Sequence, residues 1–356
     1  MPVIINDEQL DYQDVLLSPK STTLNSRKEV NLTVACALPD QRFMAGIPIL
    51  NANMSTVGNF AVAKAMLDDG MFATLHKHYT YEEILDFILS LPRNQVYRLF
   101  VSIGIRDESM TLEKFKNLDI ALVLKGYPVP NICIDVPNAY INNAIKLVTE
   151  ASESYKNRCL IMAGNVCTGC GTIQLCRAGA NIIKVGVGPG LGCRTRFVTG
   201  VGRPQLSAVL ECVEAARHFN ASICADGGIR YPGDAAKAFA AGANFVMLGG
   251  YYAGTDEADG EFLADPKTGE KVKVFYGMAS QIANFKYYGG MADYKTSEGA
   301  LLYVKYSGTV HQRNLEICGG LRSCCTYCDC KKLYDLPDKA VFYKVRRQHT
   351  IIEGDK

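Results

Sequence analysis

With 356 residues, 48% of them hydrophobic and 21% charged, the chain can bury a large core, and no run reaches the ~18 consecutive apolar residues of a membrane span. Its 38 basic and 36 acidic residues leave a net charge of +2, which removes the electrostatic ground for expecting a nucleic-acid partner. Fourteen cysteines behind an N-terminal stretch that turns polar within its first ten residues (MPVIINDEQL) point to a reducing, cytoplasmic setting rather than a secreted disulfide framework.

Along the chain, residues 1–40 read as a flanking arm. Short apolar, β-branched runs ending in Gly, Asn, Asp, His or Val follow at 47–51, 71–76, 99–104, 131–136, 159–165, 181–186, 221–227 and 244–250. Helix-like stretches lie between them at 60–68, 81–91, 138–154, 171–178, 204–218 and 233–241, with a weaker one at 108–117. Strands alternating with helices indicate parallel βα units, and eight of them close a (β/α)8 TIM barrel. A doubly wound open sheet needs a Gly-rich fingerprint after its first strand, and NANMSTVG (51–58) does not provide one. Beyond the eighth strand, 251–276 reads as an insertion around the turn ADPKTGEK (264–271). The Gly- and Tyr-rich 287–308, with YKTSEGA at 294–300, reads as a mobile flap. Residues 334–356 read as a closing arm, and nothing divides residues 1–356 into more than one barrel domain.

The chemistry concentrates at the sixth strand. GVGPGLGCRTR (186–196) sets Cys193 on a loop of glycines and a proline, where backbone can approach a ligand closely and where Arg194 and Arg196 favour a thiolate. Without further context such a residue is more often a small buried cysteine beside a turn. Two glycine clusters alter that reading: ADGGIRYPGD (225–234) after the seventh strand and MLGG (247–250) at the end of the eighth. Barrels of this type hold phosphate between these two loops, and Asp226 could accept two ribose hydroxyls, although such glycine pairs also occur in ordinary turns. A thiol and a phosphate cradle on one face imply a phosphorylated substrate with an electrophilic carbon, such as the amidine carbon of a nucleotide base.

These motifs, with TGVGRPQLSAV (199–209) and FYGMAS (275–280), resemble the IMP dehydrogenase/GMP reductase family, and the likeness runs from DYQDVLLSPKSTTLNSR (11–27) to the tail. Two features favour the reductase branch. The chain has no room for the regulatory modules usual in the dehydrogenases, and 287–308 lacks the Arg-Tyr pair they use to activate water. LNSRKEV (24–30), LHKHY (75–79) and GGLRSCCTY (319–327) are similar to that branch as well. The resemblance implies NADPH-dependent conversion of GMP to IMP with loss of ammonia, through a thioimidate on Cys193, with Thr195 and Glu298 handling the proton. It implies substrate contacts at Asp226, Gly227, Gly228, Gly249, Gly250, Gly277, Met278, Ala279, Lys295, Thr296, Ser297 and Gly299. For the cofactor it implies Ser26, Arg27, Lys77, His78, Asp135, Val136, Pro137, Val187, Gly188, Met278, Tyr294, Lys295, Ser323, Cys324, Cys325 and Thr326, the last group reaching a neighbouring subunit of a homotetramer. Carbonyls of Gly188, Gly190 and Cys193, with Arg196, would ring a monovalent cation, K⁺, since oxygen ligands suit a hard ion.

The chain departs from the family at several positions. Leu191 and Arg194 stand where serine and threonine are usual, Lys295 replaces an arginine and so loses a bidentate grip, and VPNAY (136–140) and VSIGIR (101–106) differ near the cofactor. Three other readings stay open: a dehydrogenase-like enzyme without regulatory modules, a non-catalytic nucleotide-binding barrel, and a zinc-stabilised interaction protein. The last would draw its ligands from Cys324–Cys330, Cys167 with Cys170, or His76 with His78.

Overall fold

The computed structural model describes residues 4–37, 43–136, 138–265 and 268–345. Eight parallel strands form its centre: β1 (Ile49–Asn51), β2 (Ala73–Leu75), β3 (Leu99–Ile103), β4 (Asn131–Asp135), β5 (Ile161–Val166), β6 (Ile182–Val185), β7 (Ser222–Asp226) and β8 (Phe245–Leu248). They pair in the order β1-β8-β7-β6-β5-β4-β3-β2. Their sequences are continuous apolar runs because both faces are covered; every residue of β1, β2, β3, β6 and β8 is buried.

The remaining seam, between β1 and β2, is closed differently. One bridge joins Ile47 to Met71 and Phe72 N donates to Ile49 O at 3.2 Å. At the other end the Asn51 side chain replaces the ladder: its Nδ2 donates to Thr74 O (2.8 Å) and its Oδ1 accepts from Thr74 N (3.0 Å). A side-chain amide can mimic a peptide group because it carries the same donor and acceptor pair. The sheet is thereby a barrel, as the eight strand-like runs led us to expect.

Helices α1 (Phe60–Asp68), α2 (Tyr81–Ser90), α3 (Leu112–Leu124), α4 (Asn142–Tyr155), α5 (Gly169–Arg177), α6 (Gln205–Arg217), α7 (Pro232–Ala240) and α8 (Val310–Tyr327) surround it. Their starts are set by caps: Asn59, Thr80, Thr111, Thr168 and Thr309 each accept a backbone N–H of the first turn. The sequence reading truncates α3 at residue 117. Its last turns expose Ile120, Val123 and Leu124, so the apolar stripe there is not confined to one face. It misses α8 entirely. That helix carries two glycines and three cysteines, poor helix formers, and is held by tertiary packing between α7 and α1.

The flanking segments take their expected roles with more order than anticipated. Val15–Leu17 pairs antiparallel with Phe342–Lys344, joining the two arms. In the insertion, Phe262–Ala264 and Lys271–Tyr276 form a hairpin, and its third strand, Leu301–Lys305, comes from the segment read as a loose flap. This strand alternates exposed and half-buried residues, so its apolar signal is weak. A helix at Gln281–Tyr288 precedes it.

Candidate active site

Cys193 sits where three backbone segments cross. The loop after β6 meets the end of the Lys271–Tyr276 strand and the segment leading into Leu301–Lys305. Ala300 N donates to Gly192 O (2.9 Å), Arg194 N to Glu298 O (2.7 Å) and Gly277 N to Ala300 O (3.1 Å), and Cys193 and Gly299 form an antiparallel bridge. The crossing needs glycine: a Cβ at 277 would stand 2.6 Å from Gly192 O and 2.8 Å from the Gly299 Cα. Residues more than 100 positions apart in the chain are thereby locked around Cys193. The Cys193 thiol is half-buried and points to Thr195 Oγ1 at 3.2 Å, and Thr195 Oγ1 donates to Glu298 Oε2 at 2.7 Å. Thiol, hydroxyl and carboxylate form one hydrogen-bonded line, the arrangement a nucleophile with an attendant proton carrier requires.

The expected phosphate corner lies beside it. Gly227 and Gly228 follow β7 with φ of +88° and +79°, a conformation that L side chains resist. Gly227 approaches Pro189 and Gly190 of the cysteine loop, while Gly249 and Gly250 end β8. The N–H groups of Gly228, Gly249 and Gly250 make no hydrogen bond among the described residues, so they remain free for an anion. Leu191 walls this corner: a Cβ on Gly250 would stand 2.7 Å from its Cδ2. A hydrocarbon occupies the place where a hydroxyl is usual. Arg194 stands just before the short helix Thr195–Thr199, makes no side-chain bond to its first turn, and is exposed. Met278 lies over Ser55, whose N–H reaches its sulfur at 3.3 Å. Ala279, Thr296 and Tyr294 are exposed, Lys295 and Ser297 half-buried, and Ser297 Oγ donates to Gly299 O.

Asp226 is not a free carboxylate. Its Oδ2 is 3.2 Å from Lys184 Nζ and accepts Asn165 Nδ2 at 2.8 Å. Lys184 is buried; burial works against its charge, but Asp226 and its other neighbours outweigh that and hold the ammonium well above the ordinary lysine range. Among the residues expected at the cofactor, Lys77 Nζ lies 2.9 Å from Asp135 Oδ2. Burial would raise the Asp135 carboxyl, yet Lys77 and Lys184 bring it down to about 2. Sequence reasoning missed Lys184, Asn53 and Asn165. The signal was a lysine inside the apolar strand NIIKV, since a buried lysine needs a partner.

Burial lowers His76 to about 3 and, with Lys77 nearby, His78 to about 4, so both rings are neutral. His76 Nδ1 accepts the His78 N–H (3.1 Å), and His78 stacks on Tyr287 with ring centroids 3.7 Å apart. A cavity of about 740 Å³, within the usual range for ligand sites, opens beside this stack and is lined by Ser55, Phe60, His76, His78, Lys286 and Tyr287 among others. It adjoins Met278 through Ser55 and does not include Cys193.

The other expected cofactor residues fall in a separate group. The turn Arg27–Glu29 packs against α8, and Lys20 N→Tyr327 O and Asn31 N→Lys331 O (both 2.8 Å) bind the arm to the end of that helix. Ser26 and Arg27 are exposed there, and Ser323, Cys324 and Thr326 half-buried, but Cys325 is fully buried. No hydrogen bond joins this group to Lys77, His78, Asp135 or the cysteine loop among the described residues. Val136 is buried, Val187 and Gly188 are half-buried beside the loop, and Pro137 lies outside the described residues, as do 1–3, 38–40 and 346–356 of the arms.

For the monovalent cation, Gly188, Gly190, Cys193 and Arg196 share one turn. Gly190 O accepts Cys193 N (3.0 Å), whereas the carbonyls of Gly188 and Cys193 accept no hydrogen bond among the described residues. The Arg196 guanidinium turns to Asp11 and to Arg203 O. No group of three or more His, Cys, Asp or Glu is placed to hold a metal among the described residues, so the zinc reading finds no support there.

The profile of the IMP dehydrogenase / GMP reductase domain matches residues 9–355. The chain is 43% identical to GMP reductase 2 of Bos taurus over 100% of both sequences. It is 42% identical to GMP reductase of Caenorhabditis elegans over 98% of this chain and 95% of the relative. Human GMP reductase 1 is 44% identical over 99% of each.

Proposed function

The chain belongs to the IMP dehydrogenase / GMP reductase family, and from that premise we propose that it is a GMP reductase, converting GMP and NADPH to IMP, ammonia and NADP⁺. The observation that carries the reading is the Cys193–Thr195–Glu298 line, at 3.2 and 2.7 Å. It supplies a nucleophile and a proton route at one point, which reductive deamination needs and simple nucleotide binding does not.

The Cys193 sulfur attacks carbon 2 of the guanine while the Gly228, Gly249 and Gly250 N–H groups hold the phosphate and Asp226 accepts ribose hydroxyls. The amine leaves as ammonia, with Thr195 and Glu298 passing it a proton, and Cys193 is left bonded to carbon 2 as a thioimidate. NADPH, when bound, supplies a hydride to that carbon. The Cys193–carbon bond then breaks, the thiolate is restored, and IMP departs. No water is activated at any step. Lys77, His78 and Asp135 at the barrel mouth would hold the nicotinamide end.

Ser26, Arg27, Ser323, Cys324 and Thr326 stand apart from that end on their own chain. This supports a homotetramer in which they serve a neighbouring copy's cofactor. The unengaged carbonyls of Gly188 and Cys193 fit a hard monovalent cation, and we assign K⁺ to them, Gly190 and Arg196. One barrel domain suffices for all these parts. No helix among the described residues is long and apolar enough to cross a membrane, and the abundance of free thiols supports a cytoplasmic enzyme.

The test is the loss of NADPH absorbance on adding GMP, with Cys193→Ala as control. The parent is expected to consume NADPH only with GMP, and the variant to bind GMP without turnover. A parent that is silent with GMP but reduces NAD⁺ with IMP would move the enzyme to the dehydrogenase branch.

A further inference from the structure

The barrel mouth contains a row of paired charges whose middle members, Lys184 and Asn53, have no part in the reaction steps. Lys184 projects from β6 into the barrel with its side chain 3% exposed. It stands 3.2 Å from Asp226 Oδ2 and donates to Asn53 Oδ1 at 3.1 Å. Asn53 also lies beside Asp135 and helps to hold its carboxyl low, and that carboxylate is paired with Lys77 at 2.9 Å. Two cations and two anions alternate from the nicotinamide side to the ribose side, with Asn53 as the neutral link. Lys184 is buried and the other three are half-buried, so Lys184 above all depends on its partners, because an unpaired buried charge is strongly unfavourable.

We propose that Lys184 and Asn53 are positioning residues that couple the nucleotide pocket to the cofactor pocket. The proposal rests on the GMP reductase reading, which puts ribose on Asp226 and the nicotinamide end on Asp135 and Lys77. A ribose on Asp226 redistributes the hydrogen bonds of a carboxylate whose Oδ2 is committed to Lys184 and Asn165. Lys184 cannot follow without altering its bond to Asn53, nor Asn53 without altering Asp135. Filling one pocket therefore presets the other, and by linkage the effect is equal in both directions.

The experiment is calorimetric titration of IMP into the full-length protein with and without saturating NADP⁺, and of NADP⁺ with and without IMP. The parent is expected to show the same coupling factor, at least about fivefold, in both orders. Asn53→Leu, close in volume, should bring that factor to about one. Lys184→Met should also weaken IMP alone by more than about tenfold, and Lys184→Arg should restore much of both effects. If Lys184→Met does not fold, Asn53→Leu decides alone. A coupling factor of one in the parent, or one unchanged in Asn53→Leu, overturns the network while leaving the enzyme assignment intact. A parent that binds neither ligand overturns the assignment itself.

Discussion

Thr195 stands between the Cys193 thiol and the Glu298 carboxylate, so in the proposed mechanism its hydroxyl is the one atom that belongs to both halves of the proton route. Thr195→Val keeps the branched shape and removes that oxygen. The expected result is a kcat lower by about 10²- to 10⁴-fold, the usual worth of general acid catalysis, with the KM for GMP changed less than about threefold. Steady-state kinetics measures both. A variant keeping more than about a tenth of the parent kcat would show that the proton travels another way. Residues of this kind were partly legible. Cys193 announced itself by its glycines, but a loop carboxylate such as Glu298 is ordinarily just solvated, and only the motif SEG at 297–299 singled it out. Lys184 went unread because a strand pattern shows that a residue is inside, not what faces it.

The elements that hold these residues were legible in proportion to how completely each buries its apolar face. The barrel strands are covered on both sides and read as unbroken hydrophobic runs. Helix α8 buries Val310, Asn314, Ile317, Cys318, Leu321 and Cys325, a helical spacing hidden by its asparagine, cysteines and glycines. The Leu301–Lys305 strand faces solvent on one side and was taken for loop. Yet this strand, through Gly299 and Ala300, carries Glu298 to the cysteine. The junction makes its own prediction. Gly277→Ala puts a methyl 2.6 Å from Gly192 O, against backbone that has no flexible end to yield. Activity should fall more than about 100-fold through misplacement of Cys193, while the far-ultraviolet circular dichroism stays that of the parent. An active Gly277→Ala protein would mean that the crossing is looser than its hydrogen bonds imply.

For the molecule as a whole, enclosing neutral histidines at the barrel mouth makes stability depend on pH. His76 titrates at about 3 in the folded protein against 6.5 as a free side chain. Between those values the unfolded chain carries the extra proton, so stability is flat above pH 6.5 and falls as pH drops below it, by ~1.4 kcal/mol per pH unit from this group. His78, more exposed, adds a smaller loss of the same sign. Urea unfolding between pH 6 and 4.5 should show a slope reduced by about that amount in His76→Gln; an unchanged slope would remove His76 as its source. Sequence alone determined the eight strands of the barrel, because continuous burial leaves its mark on neighbouring residues; it singled out Cys193 by its glycines, and the reaction class followed from the resemblance of its motifs to a known family. Only the tertiary structure decided how Asn51 closes the seam, that Lys184 meets Asp226 and Asn53, and how a flap strand brings Glu298 to Thr195. Those pairings join residues 23 to 131 positions apart, and no local pattern records which side chains the closing of a barrel brings face to face.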